Sequence, residues 1–511
     1  MAVQPIECPE GSGQFLFTDY EIREVMEEYH ISKSGDASTL EEELSASIQR
    51  AKNREFSSSA VLSDSSHLLM NSPLSESEVS NSFGGGIGAS GPDDINSHII
   101  DRASRPEMTQ CLQFVFNLLW TSGSFYSEWK KEIRTIIAKL GKDSFHHCDS
   151  YRTISLTNVI GRRFEKITCR RLIAILEELG FDVEQYAYLK ERSATQAICR
   201  FNQTVCSAME TGKECGAIFF DFRDAFGSVR RSILIQKLAC SFGISGHLLA
   251  HIGDFLSNRK ASLKVNGVLG EWLPSALGTS AGTVLGPLLF IVFVHDAPSW
   301  CSPKFADDLN GIAVANTVAE VQIILQGYAD DMKRWTDVND IPPNLPKSKV
   351  MLFGKSGFRL QVSFTNIILK QVSEHKLLGI WIDYMMKFDG HAERDCVKGR
   401  SSLMKISTIF LGRSGISVTV GVQVYKALMR SLFEYAVSAW LFRGIHFIDL
   451  FHALQYQCLR SISGVFKNSS ASALEVILNI QPIDIRFHDL CMRDWVRLMP
   501  LDVVHPLFEQ L

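Results

Sequence analysis

The feature that most constrains this chain is a pair of adjacent acids, Asp307 and Asp308, in Lys304-Phe-Ala-Asp-Asp-Leu-Asn-Gly-Ile-Ala-Val314. Phe305 and Ala306 before the pair, and Leu309, Ile312 and Val314 after it, are apolar or small. The pattern predicts strand, tight turn, strand, with the acids at the tip and Asn310-Gly311 as a favoured turn pair. Side-by-side carboxylates repel, and a divalent cation is the simplest charge that holds them together. Alone, the pattern also fits an acidic surface turn. A second acid changes its weight. Asp221 ends the run Gly216-Ala-Ile-Phe-Phe-Asp221, which reads as a central strand, and such a strand has no ordinary use for an acid at its end.

Tyr328-Ala-Asp-Asp331 is a near-copy of the acid pair. Its surroundings place Val321, Ile324, Leu325, Tyr328, Met332 and Trp335 three and four apart, the stripe of an amphipathic helix. Asp330 and Asp331 then belong to the polar side of that helix, as a decoy.

With 511 residues, 46% of them hydrophobic, the chain can build two or three domains with cores of their own. The net charge of −4 averages unlike parts: residues 1–100 hold 5 Lys/Arg against 17 Asp/Glu, and the remainder 47 against 39. A basic body behind an acidic leading segment suits a polyanionic partner. Twelve cysteines without a Cys-x-x-Cys pair suggest neither a zinc ribbon nor a disulfide framework. His146-His147-Cys148 lacks partners at ligand spacing. No secretory signal opens the sequence, and no apolar run reaches the roughly 20 residues of a membrane helix. These features suggest an intracellular protein, nuclear or cytoplasmic.

Along the chain, residues 17–54 read as acidic helix, and the serine-dominated 57–82 with Gly84-Gly85-Gly86 as a linker. Helices are expected over 108–119, 159–179, 196–210, 234–242, 248–256 and 288–295, and strands over 133–139, 261–265, 350–354 and 377–382. The 159–179 helix carries Arg162, Arg163, Lys166, Arg170 and Arg171, a face that suits phosphates or open solvent equally. Beyond about residue 396 the pattern is helical, with Tyr425, Leu428, Leu432 and Tyr435 on one face.

In order, these pieces resemble the reverse transcriptase of non-LTR retrotransposons of the jockey-like kind, over about residues 86–490. Tyr151-Arg-Thr-Ile-Ser-Leu156 with Phe164-Glu165-Lys166 is similar to the family's first finger motif, and Gln185-Tyr-Ala-Tyr with Arg192-Ser193 to the next. Asp221 with Ala225-Phe226 looks like palm motif A, Phe305-Ala-Asp-Asp308 like motif C, 344–347 like motif D and Leu378-Gly379 like motif E. Gly286-Pro287 lies where motif B ends.

The resemblance implies an α+β right-hand polymerase, with fingers, a palm built on an antiparallel sheet, and a helical thumb. The expected organisation is an acidic, largely disordered segment over 1–85, fingers over 86–215, palm with finger insertions over 216–390, and thumb and C-terminal region over 391–511. The implied activity is RNA-directed DNA polymerisation with two Mg2+ ions, an RNA template, a DNA primer and deoxynucleoside triphosphates, without a membrane. Asp221 and Asp307 are then the bridging metal ligands, with Asp308 in support. Lys347 is the lysine that protonates pyrophosphate. Lys139 and Arg152 grip the triphosphate, Phe226 stacks under the sugar to exclude a 2′-hydroxyl, and Gly282 belongs to the loop under the template–nucleotide pair. The sequence departs from the family where Pro-Gln-Gly-Ser is usual: here it reads Ser280-Ala281-Gly282-Thr283. Thr153 and Gly227 replace residues that are usually Pro and Asp. A decayed or co-opted copy that binds nucleic acid without polymerising is the alternative these departures leave.

Overall fold

The computed structural model describes residues 3–498, apart from 5, 8–14, 17, 32–35, 54–57, 59, 85–87, 104, 140–143, 355–356, 411–415 and 445–446. The chain forms two compact units. One gathers Met1–Asp182, Phe222–Asp296 and Thr336–Pro342, the other Val183–Asp221, Ala297–Trp335 and Pro343–Leu511. Both units therefore fall across the expected finger and palm boundaries.

The first unit is built on a five-stranded sheet. Lys131–Ala138 pairs antiparallel with Tyr151–Leu156 on one side and parallel with Lys260–Val265 on the other. Lys260–Val265 turns back on itself through Asn266 and Gly267, both at positive φ, the two-residue hairpin turn that Asn-Gly favours. Glu132 is fully buried within this sheet and ion-paired with Arg134 at 2.8 Å and Arg259 at 3.0 Å. These paired charges hold its carboxyl down at about 2, against its burial. Arg134 also donates to the Ser275 hydroxyl at 2.7 Å, tying the sheet to the chain that leads into the glycine-rich loop.

The serine-rich stretch departs from the expected linker. Helices cover Asp64–Asn71 and Glu76–Ser82, and Asp19–His30 and Ala37–Lys52 precede them. The serines act as caps: Ser63 accepts from the Ser66 amide, and Ser75 with Glu78 forms a reciprocal capping box. Met70, Leu74 and Val79 are buried.

The basic face of the helix Val159–Glu178 is what receives this segment. Arg171 donates to the carbonyls of Leu69, Ser72 and Pro73 and pairs with Glu78. Arg163 and Lys166 both reach the carbonyls of Ser82 and Gly84. Arg170 reaches Asn81 and Arg162 reaches Ala89. Neither phosphate contact nor open solvent describes this face; its cations satisfy backbone carbonyls that a short, loop-rich segment leaves unpaired.

The second unit centres on a four-stranded sheet in the order Lys370–Gln371, Lys349–Phe353, Glu214–Phe220, Leu309–Ala315. It is antiparallel except for the short parallel pairing of Lys349–Phe353 with Lys370–Gln371. Glu214–Phe220 is interior, and Cys215 to Phe220 are all buried, as the apolar run predicts. The single strand expected over 377–382 is instead a hairpin, Glu374–Leu377 and Ile380–Asp383, turning through Leu378 and Gly379 at positive φ. The Tyr435 hydroxyl caps this turn by donating to the Leu378 carbonyl at 2.6 Å.

Helices then follow from Asp389–Phe410 to Ile483–Leu498. Tyr425, Met429 and Phe433 face their shared core with Trp440, Phe451 and Leu459, whereas Leu428 and Tyr435 are exposed. The π-helical turn Tyr425–Arg430 explains the difference from the expected face, because it shifts the phase of the helical stripe. Among the described residues no helix is long and apolar enough to cross a membrane.

Candidate active site

The acid pair and Asp221 belong to the same unit and flank neighbouring strands. In the antiparallel pairing of Glu214–Phe220 with Leu309–Ala315, Phe220 faces Leu309. The pairing stops there, so Asp221, just after one strand, and Asp308, just before the other, leave the sheet at the same end. Their charges act on one another accordingly. Burial of the surroundings, then the charge of Asp307, then that of Asp221, push the Asp308 carboxyl up to about 7. Asp307 is raised by burial first and by Asp221 next. Asp308 keeps an exposed surface, so solvent tempers its rise.

The turn that presents the pair lies four residues earlier than the Asn310-Gly311 turn that the sequence pattern suggests. Phe305 and Asp308 exchange backbone hydrogen bonds at 3.2 and 3.0 Å, enclosing Ala306 and Asp307. Asn310 and Gly311 are not a turn; they lie inside the strand, opposite Phe219 and Ile218. Gly311 is required there by packing, since a β-carbon would stand 2.5 Å from the Tyr328 ring. The Tyr328 hydroxyl donates to the Asn310 carbonyl at 3.0 Å and to that of Pro298 at 3.1 Å. Tyr328-Ala-Asp-Asp331 thus lies on the helix Val318–Asn339, with Tyr328 in the core, Asp330 exposed and Asp331 paired with Arg334.

Asp221 is held by a turn that the sequence reading named only for its lysine. Asn344 donates its side-chain amide to Asp221 Oδ2 at 2.8 Å and its backbone N–H to the Asp221 carbonyl at 2.7 Å. The Ser348 hydroxyl lies 3.2 Å from the Asp221 amide. Lys347 projects from the same turn into solvent, its N–H donating to the Asn344 carbonyl. Tyr188, at φ 58°, completes this neighbourhood: its phenol is raised by burial and by the charge of Asp307.

The other candidate residues belong to the first unit. Lys139 follows the strand Lys131–Ala138, its amide donating to the Ser150 carbonyl and its Nζ to the Asp149 carbonyl at 2.8 Å. Arg152 is exposed on the neighbouring strand, opposite Ile137. Phe226 is half-buried and stacks on Phe290 at 4.2 Å. Gly282 lies at φ 111°, where a β-carbon would meet the Ser155 carbonyl oxygen at 2.5 Å. The loop around it is anchored twice: the Ala281 carbonyl accepts from the Ser155 amide at 2.7 Å, and the buried Glu165 carboxylate accepts from the amides of Val284 and Leu285 at 2.7 and 2.9 Å. Gly227 makes room for its neighbour, since a β-carbon there would meet the Asp224 carboxylate.

Three carboxylates without sulfur or imidazole are a donor set for a hard divalent cation, and burial, with their mutual repulsion added, raises two of them, a cost that a bound cation would offset. Among the described residues no group of three or more His, Cys, Asp or Glu side chains is arranged to hold a metal ion.

Residues 137–382 match the family of reverse transcriptases (RNA-dependent DNA polymerases). Over this stretch the chain is similar to reverse transcriptases. It is 24% identical to the RNA-directed DNA polymerase from mobile element jockey of Drosophila melanogaster, over 82% of this chain and 46% of that protein. It is also 24% identical to the probable RNA-directed DNA polymerase from transposon X-element of the same organism, over 69% of this chain and 40% of that one. A 22% match to the probable RNA-directed DNA polymerase from transposon BS covers 73% and 42%. The chain thus spans less than half the length of the relatives it matches.

Proposed function

We propose that this protein is an RNA-directed DNA polymerase that extends a DNA primer along an RNA template from deoxynucleoside triphosphates, in the manner of a non-LTR retrotransposon enzyme. The observation that carries the reading is the pairing of Glu214–Phe220 with Leu309–Ala315, which leaves Asp221 and the Asp307-Asp308 turn at the same end of the two strands. In this reading the unit holding the acids corresponds to the palm and the helices that follow it to the thumb. The sheet around Lys139, Arg152 and the Gly282 loop corresponds to the fingers.

Asp221, Asp307 and Asp308 would hold two Mg2+ ions. Bound there, such ions activate the primer 3′-hydroxyl and neutralise charge on the transferred phosphate and the leaving pyrophosphate. Asn344 keeps one Asp221 oxygen engaged and so fixes the direction of the other. Lys139 and Arg152 bind the triphosphate. Lys347, solvent-facing beside the Asp221 turn, donates a proton to the departing pyrophosphate. Phe226, fixed against Phe290, lies under the sugar and rejects a 2′-hydroxyl.

The change of the usual glutamine to Ala281 favours a second outcome, nucleic-acid binding without synthesis. Primer extension on an RNA template with Mg2+ separates the two. Extension by the unsubstituted protein supports the polymerase; retained template–primer binding with no extension at any nucleotide concentration replaces it with the binding protein.

A further inference from the structure

Gln185 is fully buried, yet it belongs to no strand. Its backbone runs alongside the residue that opens the acid turn. The Lys304 amide donates to the Glu184 carbonyl at 2.8 Å, and the Tyr186 amide to the Lys304 carbonyl at 2.9 Å. Its side chain then reaches two residues further, to Ala306. Oε1 accepts from its own chain at the Ala187 amide, 2.9 Å, and from the Ala306 amide at 3.0 Å.

Ala306 is the residue immediately before Asp307, and it lies at φ 53°, a conformation that costs any residue but glycine. A strained turn persists only when its surroundings over-determine it, and the Ala306 amide is where Gln185 supplies that constraint from outside the turn. The bracket is itself braced. Arg192 Nη1 donates to the Gln185 carbonyl at 2.6 Å and to the Val183 carbonyl at 3.0 Å. Tyr186 packs with Ala197 and against Phe305 and Leu378. The other end of the Gln185 amide, Nε2, is buried with no hydrogen-bond partner among the described residues. A buried donor left unspent is a cost, so the position is held for its acceptor.

We propose that Gln185 is a positioning residue for the reaction. Through the Ala306 amide it fixes the turn that aims Asp307 and Asp308, and so sets how well these acids bind a divalent cation. This rests on the polymerase reading only in the use made of the cation; cation binding itself can be read separately.

The test compares Gln185→Leu, which removes the acceptor and strands two amides, with Gln185→Glu, which keeps an acceptor of the same shape, and Gln185→Asn, which withdraws the amide by one methylene. Mn2+ bound to each full-length protein is titrated by electron paramagnetic resonance, alongside primer extension. Gln185→Leu is expected to weaken Mn2+ binding by about 10–100-fold and to lower kcat by about 100-fold, with KM for the nucleotide within about twofold. Gln185→Asn is expected to fall between it and the unsubstituted protein. Gln185→Glu is expected to bind Mn2+ at least as tightly as the unsubstituted protein.

A merely structural glutamine would lower the melting temperature of all three without moving the Mn2+ midpoint of the folded protein, and that result overturns the proposal. Should Gln185→Leu fail to fold, an unchanged midpoint in Gln185→Asn overturns it equally. If the unsubstituted protein binds Mn2+ and extends no primer, the polymerase reading fails instead, and the midpoints still judge Gln185.

Discussion

Glu132→Gln removes one charge from the most completely buried ionic group of the first unit while keeping its volume. A carboxyl held at about 2 instead of 4.5 corresponds to about 3 kcal/mol of stability at neutral pH. Stranding the Arg134 and Arg259 guanidiniums agrees with that figure, since losing one partner of a buried pair costs about 3–5 kcal/mol. The sign follows from the direction. The folded value lies below the unfolded one, so the contribution is complete above the unfolded value and is lost as pH falls from 4.5 toward 2. Urea unfolding of the two proteins should therefore show a deficit of about 3 kcal/mol for the variant at neutral pH, shrinking by more than about half near pH 3. Hydrogen exchange over 131–138 and 260–265 should locate the loss in the first unit's sheet. A deficit below about 0.5 kcal/mol at neutral pH, or one of the same size near pH 3, would refute the reasoning.

Gly311→Ala should destabilise the second unit by about 1–3 kcal/mol in thermal unfolding, because its β-carbon meets the Tyr328 ring. An unchanged melting temperature would mean that this packing is slack. Ala281→Gln should raise the extension rate, since Ala281 is exposed and anchors the loop only through its carbonyl; no gain means that this loop does not limit the enzyme. Phe226→Val should admit ribonucleotides, read as incorporation of ribonucleoside triphosphates by an otherwise active protein.

What was legible in the sequence is what depends on short-range pattern. The apolar run before Asp221 reads as an interior strand because burial on both faces leaves no alternation. The decoy acids read as helical because their apolar neighbours recur at three and four. The acid turn itself was misplaced by four residues, because a Phe-Ala-Asp-Asp turn with a strained Ala306 has no local signature to compete with Asn-Gly. Gly311 serves a tyrosine seventeen residues away, a contact that no window reveals. Composition misled most over residues 57–82. Serine was read as disorder, but Ser63 and Ser75 cap helices whose open carbonyls are met by arginines about ninety positions later. The ordered motifs drew attention to Gln185, Glu165 and Asn344 without disclosing their work, which is to hydrogen-bond across the chain to backbone beside other motifs.

The central claim is that Asp221 and Asp307 do the chemistry and that the look-alike acids do not. Single-turnover primer extension on an RNA template, with Asp221→Asn, Asp307→Asn and Asp330→Asn compared at equal template–primer occupancy, tests it most directly. The account predicts that the first two lose extension while Asp330→Asn matches the unsubstituted protein. Extension surviving in Asp307→Asn, or lost in Asp330→Asn with its fold intact, would contradict it.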